Sequence, residues 1–110
     1  MNARYVQRGD SIDHTPTADV SAGDIVKLGK LVGVAKLDIK AGELGAIALT
    51  GVYEVVKGDA AFAAGDEVGW DAANKKAVLA STAGCVKIGY AIAAAASGDS
   101  LVNVRLEQGL

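Results

Sequence analysis

The sequence predicts an all-β domain: a small β-barrel or sandwich of short strands with an extended N-terminal arm and at most one short helical turn. Three observations predict it. Glycine recurs at short intervals between Gly23 and Gly98. The stretches between those glycines are short and either β-branched or alternating, as strands are and helices are not. The chain has 110 residues, enough for one compact domain and too few for two.

Residues 1–20 read as the arm and residues 21–110 as the β-barrel-like domain. The arm holds the only proline (Pro16) and the only histidine (His14), with Tyr5, Val6, Ile12 and Val20 as its sparse apolar residues. Such a segment cannot nucleate a core alone, and is expected to lie extended on another surface or to stay mobile until a partner arrives. In the body, strands are expected at 25–28, 31–35, 46–56, 67–71, 77–79, 85–93 and 101–106. In the last, Val102, Val104 and Leu106 face inward while Asn103 and Arg105 face out, because side chains alternate along a strand. Residues 71–76 (Asp-Ala-Ala-Asn-Lys-Lys) read as a hairpin loop. Asp59 can cap a single helical turn that Gly65 closes. The alanines at 93–96 are read as the end of the preceding strand.

A weak internal repeat runs through the body. Ala-Gly-Asp at 22–24 recurs at 64–66, each followed two places on by a valine (Val26, Val68). Val-Gly-Val-Ala at 32–35 corresponds to Ile-Gly-Tyr-Ala at 88–91, and Ala-Gly-Glu at 41–43 to Ser-Gly-Asp at 97–99. The first match has an offset of 42 (22 to 64) and the later two of 56 (32 to 88), so the second copy would carry about 14 extra residues around Asn74. Chance similarity in a Gly/Ala-rich chain is the competing explanation.

Composition narrows the function. Apolar residues make up 51% of the chain but aromatics only 5%, so the core is built from Val, Ile, Leu and Ala rather than around a roomy aromatic-lined pocket. Eleven basic and thirteen acidic residues are interspersed, with a formal charge of −2. No basic cluster suits a phosphate backbone or an anionic membrane, so neither nucleic acid nor membrane is expected as a partner. The N-terminus lacks the apolar run of a signal peptide, and a soluble protein made in a cytoplasm is expected. Cys85, flanked by Val86, reads as a small hydrophobe in a strand.

Catalytic chemistry finds no foothold. A nucleophilic mechanism needs a nucleophile, a base and a group to orient the base, and the lone histidine sits in the polar arm. One His and one Cys so far apart suggest no metal site. Asp24, Glu43, Asp66 and Asp99 each follow a glycine and are explained by turns. Gly23 and Gly29-Lys30 approximate a phosphate-binding loop, but five residues separate them instead of four and Leu31 has no hydroxyl. Arg8-Gly9-Asp10 matches an adhesion tripeptide that arises readily by chance. The chain is read as a non-enzyme with no cofactor and no metal.

Taken in order, the segments Tyr-Val-Gln-Arg-Gly-Asp (5–10), Ala-Gly-Asp-Ile-Val (22–26), Leu-Val-Gly-Val-Ala-Lys-Leu-Asp (31–38), Leu-Thr-Gly-Val-Tyr-Glu-Val-Val-Lys (49–57), Ala-Phe-Ala-Ala-Gly-Asp-Glu-Val-Gly-Trp-Asp (61–71), the Ile-Gly-Tyr-Ala to Ser-Gly-Asp stretch (88–99) and Val-Asn-Val-Arg-Leu (102–106) resemble the phage and prophage capsid cement, or decoration, proteins. Some members have carried an automatic label as recombinases, which the missing phosphate loop does not support. The resemblance covers nearly the whole chain and implies a β-barrel-like domain on the exterior of a virion capsid, made in the host bacterial cytoplasm. It implies the major capsid protein as partner, whose subunit contacts the cement stabilises, and a homo-oligomer, with a dimer favoured slightly over a trimer. It also implies that an arm reaches neighbouring subunits, making Tyr5, Val6, Gln7 and Arg8 the candidate capsid or subunit contacts. The alternative is another virion part, such as a head–tail connector or a tail protein.

Overall fold

Nine β-strands build the chain in the computed structural model, which describes residues 2–6 and 9–107, and no described residue is helical. The strands are β1 (Ser11–His14), β2 (Ile25–Leu28), β3 (Leu31–Ala35), β4 (Gly45–Ala48), β5 (Val52–Val56), β6 (Glu67–Asp71), β7 (Lys76–Leu79), β8 (Val86–Ala91) and β9 (Leu101–Leu106). They form two antiparallel sheets, ordered β1-β4-β3-β2 and β5-β9-β8-β6-β7. In the second, a parallel bridge between Lys57 and Ala77 brings β7 back beside the end of β5. The five-stranded sheet thus curls round to its own beginning, whereas β1 and β2 remain the two edges of the four-stranded sheet.

The predicted strands at 25–28, 31–35, 67–71 and 101–106 appear with those bounds. The strand expected at 77–79 starts one residue earlier, at Lys76, and the one expected at 85–93 spans only Val86–Ala91, so the alanines at 93–96 lie past its end, with Ala95 bridged to Phe62; three further details differ. The expected strand at 46–56 is two, β4 and β5, in different sheets, because the chain bends at Gly51, which holds a left-handed φ of 113°. Residues 59–65 do not make a helical turn. Phe62 instead exchanges backbone hydrogen bonds of 2.9 Å with Ala95 in both directions, an extended pairing that places its ring in the core at 3% exposure. Ser11–His14, with only Ile12 to suggest alternation, pairs with β4 through Ser11↔Ala48 to His14↔Gly45.

The turns carry the Gly-acid pairs. Ser21 N–H donates to Asp24 Oδ2 at 3.0 Å while Asp24 N–H donates to the Ser21 carbonyl at 3.0 Å. The same reciprocal bonds join Ala63 to Asp66 (2.8 and 3.1 Å) and Ala96 to Asp99 (2.9 and 3.0 Å). At 40–43 the Glu43 N–H donates to the Lys40 carbonyl at 3.0 Å. Gly23, Gly42 and Gly65 hold φ between 81° and 91°, which the third position of such a turn demands of an L-chain.

Register matches between the halves in the outer ladder and at the start of the β2–β3 ladder, whereas β8–β9 (Tyr90↔Arg105) is one residue out of step with β3–β4 (Val34↔Ala48) and β6–β8 shifts register between Val68 and Gly69. Shifting β1 by 42 (11 to 53) and β4 by 56 (48 to 104) turns Ser11↔Ala48 into Tyr53↔Val104 and His14↔Gly45 into Val56↔Leu101, both observed pairs. The same shifts turn Ile25↔Val34 into Glu67↔Tyr90 and Val26↔Gly33 into Val68↔Gly89. Bridges outside the strands obey them too: Val20↔Ile39 corresponds to Phe62↔Ala95. So do the bonds from Gly23 N–H to the Ala35 carbonyl and from Gly65 N–H to the Ala91 carbonyl, each 2.7 Å. β7 and the turns around it have no counterpart in the first half.

The core divides unequally. Val32 and Val34 of β3 join Val55, Phe62, Val68, Trp70, Ile88, Val102, Val104 and others in the main cluster. The opposite face of the first sheet holds a small cluster of Ala35, Ile39 and Ile47, flanked by half-buried Ile12, Val20, Val26 and Leu28. β3 is therefore buried on both faces, which explains its nearly continuous apolar run.

Candidate docking surfaces

The predicted contact residues lie ahead of β1. Residues 2–6 are exposed and without regular structure, with Tyr5 at 79% and Val6 at 84% exposure. Gln7 and Arg8 lie outside the described residues. Two apolar side chains this open in an isolated molecule gain free energy when something covers them, each about 1.5–3 kcal/mol when fully buried.

Other exposed apolar residues were not singled out from the sequence, because exposure depends on which face each strand turns inward. Val56 and Leu101 are cross-strand partners on β5 and β9, at 56% and 42% exposure. Leu37 and Leu44 project from the connection between β3 and β4.

A cleft of about 420 Å³ runs beside β2. Residues 23–27 form one wall, while Val55, Val56 and Trp70 contribute to the wall opposite. Lys75 also borders it, from the β6–β7 hairpin, in a left-handed conformation at φ 54°.

Polar side chains outside the turns serve the scaffold. Lys57 is buried at 5% exposure, and its Nζ donates to the carbonyls of Gly58 (3.0 Å) and Ala60 (2.7 Å), holding the strand that leaves β5. Lys87 Nζ donates to Tyr90 Oη at 3.0 Å and pairs with Glu67 Oε2 at 3.2 Å. The bond to the Tyr90 hydroxyl is the foremost cause that holds the Lys87 ammonium above its ordinary pKa; burial opposes it, and Glu67 adds to the rise. In the β6–β7 hairpin, Asp71 accepts from the Asn74 side chain at 2.7 Å and from the backbone N–H groups of Asn74 and Ala73. Those bonds, the Asn74 side chain's foremost, lower the Asp71 pKa.

His14 is half-buried on β1 opposite Gly45. Cys85 lies one residue before β8 and is half-buried, with its Sγ 3.5 Å from the Ala80 carbonyl. The sulfur also fills the space above Gly69, where an added Cβ would come within 2.6 Å of it. Among the described residues no group of three or more His, Cys, Asp or Glu is placed to hold a metal ion. Nor, among the described residues, is any helix long and apolar enough to cross a membrane.

Comparison with protein families shows which family the chain belongs to. The model of the phage cement protein family matches residues 6–106. The chain is a member of that family. Cement proteins are structural parts of the phage capsid, and the match supports that role for this one. Neither a curated protein nor a solved structure matches the chain.

Proposed function

We propose that the protein is a non-enzymatic capsid cement that binds the outer surface of a phage head as a homo-oligomer and stabilises the contacts between major capsid subunits. The single observation that carries this reading is the cement-family match across residues 6–106. The arm supports it physically, since Tyr5 and Val6 present apolar surface ahead of the first strand, with Gln7 and Arg8 beside them in sequence.

Cementing requires a free-energy gain that exists only in the assembled shell. A ligand that binds the mature state alone stabilises it by mass action, and many copies multiply the effect. An interface of about 1,600 Å² is typical for stable association, and an arm that folds against its landing surface selects the shell in which that surface is complete.

The test uses purified heads lacking the protein. Added back, it should co-sediment with them at hundreds of copies per head, on the order expected of a bound shell component, and should raise the temperature at which they disrupt. Tyr5→Ala should weaken that binding roughly tenfold or more. Heads that neither bind the protein nor gain heat resistance from it would sink the reading. A copy number of a few per particle would point instead to a connector or tail ring.

A further inference from the structure

We propose that the chain comprises two copies of one four-stranded unit, and that the cleft beside β2 accepts residues 2–6 of a second molecule as an added β-strand. This rests on reading Tyr5 and Val6 as contact residues, and not on binding to a shell.

Equivalence of the halves supplies the argument. β2 and β6 occupy matching places in the strand order, and their first two positions (25 to 67, 26 to 68) are related by the same 42-residue shift that relates β1 to β5, before a bulge at Val68/Gly69 sets the rest of β6 one residue out of step. On the far side of β6 lies β7, antiparallel to it from Val68↔Leu79 to Asp71↔Lys76. On the far side of β2 no described strand pairs. The molecule thus contains one filled version of the position and one empty version, and the filled version shows what fits: a short antiparallel strand.

Backbone groups at the empty position are ready for one. β2 and β3 meet in a two-residue hairpin at Leu28↔Leu31, and the Asp24 carbonyl accepts from Ala35 N–H at 3.0 Å. In an antiparallel ladder the bonded residues alternate, so positions 24, 26 and 28 face β3 while Ile25 and Lys27 turn their N–H and C=O groups to the outer edge. That edge is the wall of the cleft formed by residues 23–27. Val55, Val56 and Trp70 also line the cleft, apolar side chains that an added strand would cover.

The occupant comes from this chain. Residues 2–6 (Asn-Ala-Arg-Tyr-Val) are five residues long against four in β7, exposed and unpaired with any described strand. Tyr5 offers an aromatic ring to a cleft that already holds Trp70. The arm leaves from β1, at the opposite edge of the sheet from β2. Donor and acceptor therefore occupy opposite edges, so each molecule can give a strand to one neighbour and receive one from another, a head-to-tail contact that builds a ring when its rotation closes.

The experiment needs no heads. Full-length protein should associate in sedimentation equilibrium, and deleting residues 2–8 should weaken that association roughly tenfold or more. Lys27→Pro should do the same while leaving the thermal midpoint of the monomer nearly unchanged, because it removes an outward-facing N–H that no described strand uses. In a Cys85→Ala background, a molecule carrying Val6→Cys mixed with one carrying Lys27→Cys should cross-link through a short bis-maleimide. Overturning results are a wild-type protein that stays monomeric, association that survives both the deletion and Lys27→Pro, or a double-cysteine chain that cross-links only within itself. If these fail while heads still bind the protein, the cement reading stands and only the strand exchange falls.

Discussion

The two halves of this molecule share a strand order and much of a register, with a one-residue offset between β3–β4 and β8–β9, but not a stability plan. In the second half, β7 follows β6 and the sheet curls round to β5 over the main core. In the first, β2 remains an edge and the face turned away from the main core buries a small cluster of Ala35, Ile39 and Ile47. One pattern of turns and pairings thus supports a well-filled unit and a sparse one. Backbone pairing sets topology, while the volume of apolar side chains sets how much each unit contributes to stability.

Matched substitutions sharpen the contrast, and the largest effect is expected at the glycines of β3 and β8. A Cβ on Gly89 would overlap the Arg105 carbonyl oxygen, part of the neighbouring backbone, so Gly89→Ala should cost about 5 kcal/mol or more. Its counterpart Gly33 would meet the Cδ1 of Ile47 at 2.8 Å and the Ala48 carbonyl oxygen at 3.1 Å, a milder crowding than at Gly89. Gly33→Ala should therefore cost only about 1–2 kcal/mol. Urea unfolding of both variants checks this, and equal losses would break the comparison.

Next comes the bridge outside the strands. Phe62→Ala should lose about 3–5 kcal/mol from the main core, whereas Val20→Ala at the matching, half-buried position should lose about 1 kcal/mol. Calorimetric melting of the pair is the measurement.

A smaller effect is expected where the second sheet returns on itself. Lys57→Ala strips the Gly58 and Ala60 carbonyls of their donor and should cost about 2 kcal/mol. Lys57→Met keeps the buried stem and should lose the same two bonds while retaining more packing, so it should melt above the alanine variant.

The smallest effect belongs to the β6–β7 hairpin, which the first half lacks. Asp71 is held below its ordinary pKa by Asn74 and Ala73. Its contribution is therefore present above the unfolded carboxyl pKa and is lost as pH falls through the folded one. Asn74→Ala removes the leading cause, and its acid unfolding profile should show less loss of stability below about pH 4 than wild type. Identical acid limbs would show that this turn contributes nothing measurable.

Much of this was legible in the residues, for identifiable reasons. Short strands between glycines are readable because φ near +90° is open to glycine and to few others, so Gly23 and Gly65 mark turns whatever surrounds them. The capping roles of Asp24, Asp66 and Asp99 are local, within three residues of their partners. β1 was hidden because one apolar residue, Ile12, makes no pattern, and its pairing energy comes from β4 some thirty positions away. Phe62 defeated a local reading in the opposite way: a cap and a glycine favoured a helical turn, but the segment pairs with distant Ala95 and buries its ring in the core. Tyr5 and Val6 were visible as apolar residues in a polar arm, while the cleft was not, since its walls at 23–27, 55–56 and 70 meet only when the halves pack.

By itself the sequence determined the strand-rich class, most strand positions, the turn chemistry, the matched segments of the repeat and the family. All of these depend on residues close in the chain or on their linear order. Tertiary structure alone decided which strands share a sheet, that β7 completes one half while β2 is left as an edge, and where the cleft opens. Those outcomes arise from hydrogen bonds and apolar contacts between distant segments, and their energies are fixed only once the chain has closed upon itself.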